Sequence, residues 1–271
     1  MTTVAKTRRR GFPKWASSTI GIVAIIAVWW GVAILFQLRS PKYAPIPTPV
    51  QVLQALFAES PDWYWRMFSV TLGEAGVGFL WGNAIALLLA FLVLIIPALD
   101  GVIMQIAVVS YCLPIVAIGP IALIVLGGAT SPGDLSGTAV FLAALSVIFT
   151  TVVGSLLGLK AADRSALDVV SVYGGGRLAQ LLKVRLVAAV PEIFSALQMS
   201  VPAAFLGAVL GEYFGKIEQA VGPALVAAQV QLNSGLVWAL FLLCALIALV
   251  GYWLMGLIGR LVAPWSKGDR R

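Results

Sequence analysis

Six stretches of this chain are apolar for long enough to cross a lipid bilayer, and no single motif constrains the fold as much. A hydrocarbon core of about 30 Å takes roughly 20 helical residues at about 1.5 Å each. Inside lipid every backbone N–H and C=O must be satisfied by the chain itself, so such runs become helices. They lie near residues 17–38, 70–99, 101–127, 137–159, 187–211 and 235–262. The second and third are separated only by Ala98-Leu99-Asp100-Gly101, which reads as a tight turn with Pro97 before it as a stop. With 61% hydrophobic and 11% charged residues, the expectation is an all-α membrane protein with six transmembrane helices.

Orientation follows from the basic residues. With both termini and the Lys160 to Arg185 loop on one face, that face holds 14 of the 18 Lys and Arg, and the other holds Arg39, Lys42, Arg66 and Lys216. The positive-inside rule then makes both termini and the loop cytoplasmic. Three regions result: a basic N-terminus over 1–16, a membrane domain over 17–262 with the loop 160–186 inside it, and a C-terminal tail over 263–271. The net charge of +7 reads as a topology signal, with no nucleic-acid partner implied. Arg9-Arg10-Gly11-Phe12 has the look of a twin-arginine export signal. The apolar run after it is too long for a cleavable signal and lacks an A-x-A-like end, so it reads as an uncleaved first helix.

Several chemistries find no residues here. The chain has no histidine, and its two cysteines, Cys112 and Cys244, fall inside apolar runs as packing residues. A zinc site or a histidine-based triad has almost nothing to draw on, and no metal or catalytic residue is expected. Glu59, Asp62, Asp134, Glu212 and Glu218 are assigned to the outer side, and Asp100, Asp163, Asp168 and Asp269 to the inner. Glu74 and Glu192 sit near membrane entry points and are marginal intramembrane acids. No G-x-x-x-x-G-K-[ST] occurs, so the chain binds no nucleotide in that manner and needs no cofactor of its own.

One polar, glycine-interrupted segment stands out among the apolar runs, Asp168 to Arg177. From Asp163 to Tyr173 a helical period places Ala166, Leu167, Val169, Val170 and Tyr173 on one side and Arg164, Ser165, Asp168 and Ser171 on the other, with Val172 a misfit. Asp163 is the expected N-cap and Gly174 the expected stop. The apolar side needs a cover, either the lipid headgroup layer or a groove on a partner.

The segment resembles the cytoplasmic loop of permease subunits of ABC importers, in which E-A-A is followed after three residues by G and after nine more by I-x-L-P. Asp168-Val169-Val170 stands at E-A-A, Gly174 at the glycine and Val184-Arg185-Leu186-Val187 at I-x-L-P, with Pro191 shortly after. Asp replaces Glu, Val replaces both Ala, and Val187 replaces the proline. A second resemblance, to the nitrate, sulfonate and taurine importer group, covers residues 45–264. It is carried by Pro45-Ile46-Pro47-Thr48-Pro49, by Val70-Thr71-Leu72 leading to Gly78-Phe79-Leu80-Trp81-Gly82, and by Leu113-Pro114 with Gly119-Pro120 and Leu126-Gly127-Gly128.

The resemblance implies a type I importer permease fold and a subunit without catalysis of its own. Its implied partners are ABC ATPase subunits that bind the ATP, a second permease (a homodimer favoured, a heterodimer open), an external solute-binding protein and membrane lipid. Leu167, Asp168, Val170, Tyr173, Gly174 and Arg177 are the expected ATPase-coupling residues. For the translocation path, prolines permit kinks, which singles out Pro114, Pro120, Pro191 and Pro202. Ser195, Gln198 and Pro202 share a helix face, and Tyr111 is added from the third run. The spacings Gly78 to Gly82, Gly154 to Gly158 and Gly211 to Gly215 predict close helix approach. Residues 48–58 read as an outer interfacial helix with Val52, Leu53, Leu56 and Phe57 on its apolar face and Trp63, Tyr64 and Trp65 as anchors. A secondary transporter or channel without an ATPase is the rival, short of the intramembrane charges it would use.

Overall fold

The computed structural model describes residues 14–40, 44–215 and 218–265. The paired arginines at 9 and 10, and Lys42, Lys216, Lys267, Arg270 and Arg271 from the charge count, lie outside the described residues. Eleven α-helices are found among the described residues, in two compact units.

In the first unit α1 (Lys14–Arg39) is a single apolar span, and α2 (Pro49–Ala58) is a short helix. Residues 228–239 belong to the same unit. Thr48 and Gln51 form a reciprocal capping box at the start of α2, and Pro49 takes the first helical position, where its missing N–H costs nothing. The indole rings of Trp29 and Trp238 stack at 5.5 Å, and their N–H groups donate to the carbonyls of Pro47 and Pro45 at 3.1 and 3.2 Å. The proline segment before α2 is therefore held by two tryptophans. The apolar face expected on α2 is split: Val52 is buried, whereas Leu53 and Phe57 are exposed.

In the second unit α3 (Pro61–Ile95) begins earlier than the apolar run at 70. The Ser60 hydroxyl accepts from Trp63 N at 3.2 Å and Pro61 occupies the first position, so local capping starts the helix before the hydrophobic pattern does. A 3₁₀ turn over Pro97–Leu99 comes next, and α4 (Asp100–Cys112) starts at once, with Gly101 already helical. The expected third span is not one helix. It breaks at Leu113-Pro114, and α5 (Ile115–Leu126) leaves at 96° to the preceding helix. Proline supplies no N–H and forces the residue before it out of the helical region, which is where Leu113 sits at ψ 124°. Among the described residues five helices are long and apolar enough to span alone, and the bent pair is a sixth if it is counted as one span.

The remaining helices are α6 (Gly137–Lys160), α7 (Arg164–Val172), α8 (Arg177–Gln180), α9 (Leu186–Glu212), α10 (Val221–Val230) and α11 (Ser234–Val262). Helix α6 is the centre, with α3 beside it in the same direction and α9 antiparallel. Leu142, Ala143, Val147, Val152, Leu156 and Leu159 of α6 are fully or almost fully buried. Small residues make this possible, since lipid gives no hydrophobic drive for helix association and close packing must replace it. A Cβ on Gly82 would collide with Ala144 and Val147, and one on Gly211 with Ala139. At the opposite end Gly154 and Gly158 of α6 make room for Ala196, Ala189 and Glu192 of α9. Gly211 pairs in this role with Gly207. Gly215, the expected partner, lies beyond the helix and accepts from Ala129 N at 3.2 Å through its carbonyl.

A polar knot crosses the three central helices. The Asn83 amide donates to Phe79 O at 2.7 Å, and its Oδ1 accepts from the hydroxyls of Thr151 and Ser200. Asp100 and Lys160 form an ion pair at 2.7 Å, both partly exposed, which joins the start of α4 to the end of α6. Glu212, assigned to the outer side, is 1% exposed, and Glu74, placed near an entry point as a marginal intramembrane acid, is fully buried. Both lie on faces that close on neighbouring helices. Cys112 is likewise exposed at the end of α4 and not a packing residue, while Cys244 is half-buried.

Candidate functional site

Helix α7 is defined at both ends by its own sequence. The Asp163 carboxylate accepts from Ser165 N at 3.2 Å and from the Ser165 hydroxyl, satisfying a free first-turn donor. Those bonds, the hydroxyl first, hold the Asp163 carboxyl below the usual carboxylate range. At the other end Gly174 adopts φ +77°, its N–H donates to Ser171 O at 2.9 Å, and Gly175 N donates to Val170 O at 2.8 Å. That pair of bonds is a Schellman closure, which requires a left-handed residue at the position Gly174 fills.

Helix α7 is in turn fixed to α8. Gln180 of α8 donates through Nε2 to Leu167 O at 3.2 Å and to Ser171 Oγ at 2.7 Å. Val170 turns inward so far that a Cβ on Gly175 would strike it. Leu167 and Ala166 are half-buried beside it. The expected apolar face is therefore divided. Leu167, Val170 and Ala166 pack inward, whereas Val169, Val172 and Tyr173 are exposed, the last two at 84% and 86%. Val172, the misfit of the helical period, belongs to this exposed tip. Asp168 is exposed, and Arg177 is the exposed first residue of α8, after Gly176.

From α8 the chain enters α9 without a break. Residues Leu181–Arg185 form one π-helical turn, and 177–212 is continuous helix. Single π turns inside helices recur at functional sites. Helix α7 is thus tied to a 36-residue rod whose far end reaches Glu212.

The other singled-out residues are spread over the second unit. Tyr111 on α4 is exposed and stacks on Phe149 of α6 with ring centroids 4.5 Å apart. Pro114 caps α5 at the 96° bend. On α9 the Ser195 hydroxyl donates to Pro191 O at 3.0 Å, taking up a carbonyl one turn back. Gln198 lies against α11, where a Cβ on Gly256 would meet its amide, and Pro202 is half-buried within the helix. Sequence reasoning misses Gln180 and the burial of Glu74 and Glu212. Gln180 carries no signal in the helical period, and a Glu at a span's end looks alike whether it meets water or a neighbouring helix.

A bundle of apolar helices long enough to cross a bilayer, knitted by glycines and carrying one capped helix on a continuous rod, is the architecture of a polytopic membrane protein. The chain belongs to the family of binding-protein-dependent transport system inner membrane components, whose model matches residues 77–264. It is similar to a probable ABC transporter permease protein of Haemophilus influenzae, with 29% identity over 84% of this chain and 89% of that protein. It is also similar to the formylaminopyrimidine transport permease protein ThiX of Halalkalibacterium halodurans, with 21% identity over 82% of this chain and 86% of that protein. A third relative, the riboflavin transport system permease protein RibX of Chloroflexus aurantiacus, shares 26% identity over 58% of this chain and 56% of that protein. The protein is a multi-pass permease subunit of an ABC importer in the bacterial inner membrane.

Proposed function

We propose that this permease forms half of the path for a small solute delivered by an external binding protein, and that α7 is the helix through which ATPase subunits drive it. The observation that supports this reading is the exposed tip of Val169, Val172 and Tyr173 on a helix closed at both ends and joined by Gln180 to the α8 to α9 rod. A short helix with a fixed end moves as a body. When two ATPases close on ATP, a tip seated in their groove carries the rod with it, which is the two-state element that alternating access needs. Leu167 and Val170 fasten the helix from within, Gly174 shapes its end, and Asp168, Tyr173 and Arg177 face the ATPase. The Lys and Arg distribution supports a cytoplasmic α7. A second copy of this chain is the favoured partner permease, with a different permease as the alternative.

The path in this reading runs along the α4 to α5 bend and α9, with Pro114, Ser195 and Pro202 at flexible points, Tyr111 at its wall and Gln198 acting through its contact with α11. The nitrate, sulfonate and taurine group remains the group whose sequence pattern the chain follows. For the solute, the names of two relatives point to a nitrogen heterocycle, since one is a formylaminopyrimidine and the other a riboflavin transport protein. The test is uptake into vesicles holding the chain with its neighbouring ATPase and binding protein. ATP-dependent accumulation of a labelled pyrimidine or flavin is expected. Uptake that proceeds without an ATPase would transfer the chain to the secondary transporters.

A further inference from the structure

The transport reading leaves unused the most deeply buried acids of the chain. Glu74 on α3 and Glu212 at the end of α9 are 0% and 1% exposed. Each has one satisfied oxygen. Glu74 Oε1 accepts from Ser136 N at 2.7 Å, at the start of α6, and Glu212 Oε2 accepts from Gly222 N, at the start of α10. The other two oxygens, Glu74 Oε2 and Glu212 Oε1, receive no donor from the surrounding protein. The two acids are brought together by their neighbours: Glu74 lies one turn after Thr71 on α3, and Thr71 Oγ1 accepts from Val221 N, the residue before the Gly222 whose N–H donates to Glu212.

The neighbours supply no countercharge. Thr71 of α3 lies beside Glu212, accepts from Val221 N at 3.2 Å and has a single proton, which is within reach of Met67 O at 3.2 Å. Tyr213, just past α9, and Cys244 of α11 are the other titratable groups near Glu212. Among the described residues no Lys or Arg pairs with either acid. The approach of α10 is built for this contact, because a Cβ on Gly222 would stand 2.8 Å from Glu212 Cβ and 2.9 Å from its Oε2. Two neighbouring carboxylates, desolvated and without a cation, cannot both be ionised. A doubly protonated pair would forgo the charge-assisted O–H···O⁻ bond, the strongest the two groups can make, so a single proton suits the geometry best.

We propose that Glu74 and Glu212 hold one proton between them, and that this shared proton latches the end of the bundle opposite α7. The protonated carboxyl donates to the other, so α3 and α9 are bonded directly, while Ser136 N and Gly222 N bring in α6 and α10. Four helices meet at one proton. Its loss leaves two like charges facing each other in a closed site, and the end must part or take up water. Opening of this end and release of the proton are therefore linked, independently of which solute the permease carries.

The test is infrared spectroscopy of the full chain purified in detergent. Wild type is expected to show a carboxylic-acid C=O absorption at neutral pH that disappears on alkaline titration. Glu74→Gln and Glu212→Gln should each lose that band entirely while keeping the wild-type elution volume and melting temperature, because an amide N–H replaces the donor and the remaining carboxylate ionises. Two acids that are each protonated on their own and only pack would also give the band, but each Gln variant would keep the band of the remaining acid. Absence of the band in wild type, or its survival in both variants, overturns the proposal. A melting temperature that depends on sodium or potassium at constant ionic strength, with no acid band, also overturns it and assigns a bound cation. Where one variant fails to fold, the other variant and the titration of wild type give the same reading.

Discussion

At the scale of single residues, the ends of α7 make the sharpest predictions. Gly174 stands at φ +77° with open space around its missing Cβ, so a side chain there meets no clash and pays only for the left-handed backbone. Gly174→Leu should strain the Schellman closure by about 1–2 kcal/mol, whereas Gly174→Asn, which tolerates this region, should do less. ATPase activity coupled to transport is expected to fall in the Leu variant with membrane insertion unchanged, and both are read in the same vesicles. Asp163 gives a pH prediction. Its carboxyl is held below the ordinary range by Ser165, so the cap is fully present above that range and is lost as pH falls through the lowered value. Protection of the Ser165 amide from hydrogen exchange should drop on acidification in wild type and stay flat in Asp163→Asn, since Asn caps without a charge. Both cap residues are legible in the sequence because capping is local chemistry. Gln180, Glu74 and Glu212 are not, because their roles come from partners 9 to 62 residues distant that no local pattern names.

At the scale of elements, the apolar runs locate every span, and the differences arise where local stereochemistry overrides hydrophobicity. Ser60-Pro61 starts α3 ahead of its apolar run, and Leu113-Pro114 turns one expected helix into two at 96°. The amphipathic period finds α7 but does not say which half of its apolar side is spoken for, since Val170 is covered by the chain's own Gly175. The glycine spacings mark true close approaches at Gly78, Gly82, Gly154 and Gly158, while Gly211 is paired with Gly207 and not Gly215. Gly82→Leu should therefore push α3 off α6 and destabilise the protein by about 1–3 kcal/mol, the usual cost of overpacking. Gly21→Leu on α1, where nothing lies within 4 Å, serves as the matched control and should melt like wild type in detergent.

At the scale of the whole molecule, the family places the chain in a larger machine, and the proposed reading has force enter at the exposed tip of α7. The α8 to α9 rod runs as continuous helix from the α7 loop to Glu212, so one element joins the exposed tip to the buried acid pair. Gly207 and Gly211 bring this element close against α6 along the way. Membership of an importer family is legible from ordered motifs, whereas the solute is not, because specificity in such a machine can reside in a protein outside this chain. The central claim is that the exposed tip of α7 seats in an ATPase. The most direct measurement is the amount of ATPase co-purified with the full chain in mild detergent, compared between wild type, Val172→Asp and Tyr173→Asp. A stoichiometric ATPase in wild type and its loss by about tenfold or more in both variants, with equal membrane insertion, is the expected result, since a buried charge in an apolar groove costs at least about 1.4 kcal/mol. Undiminished ATPase in both variants would contradict the docking role of α7.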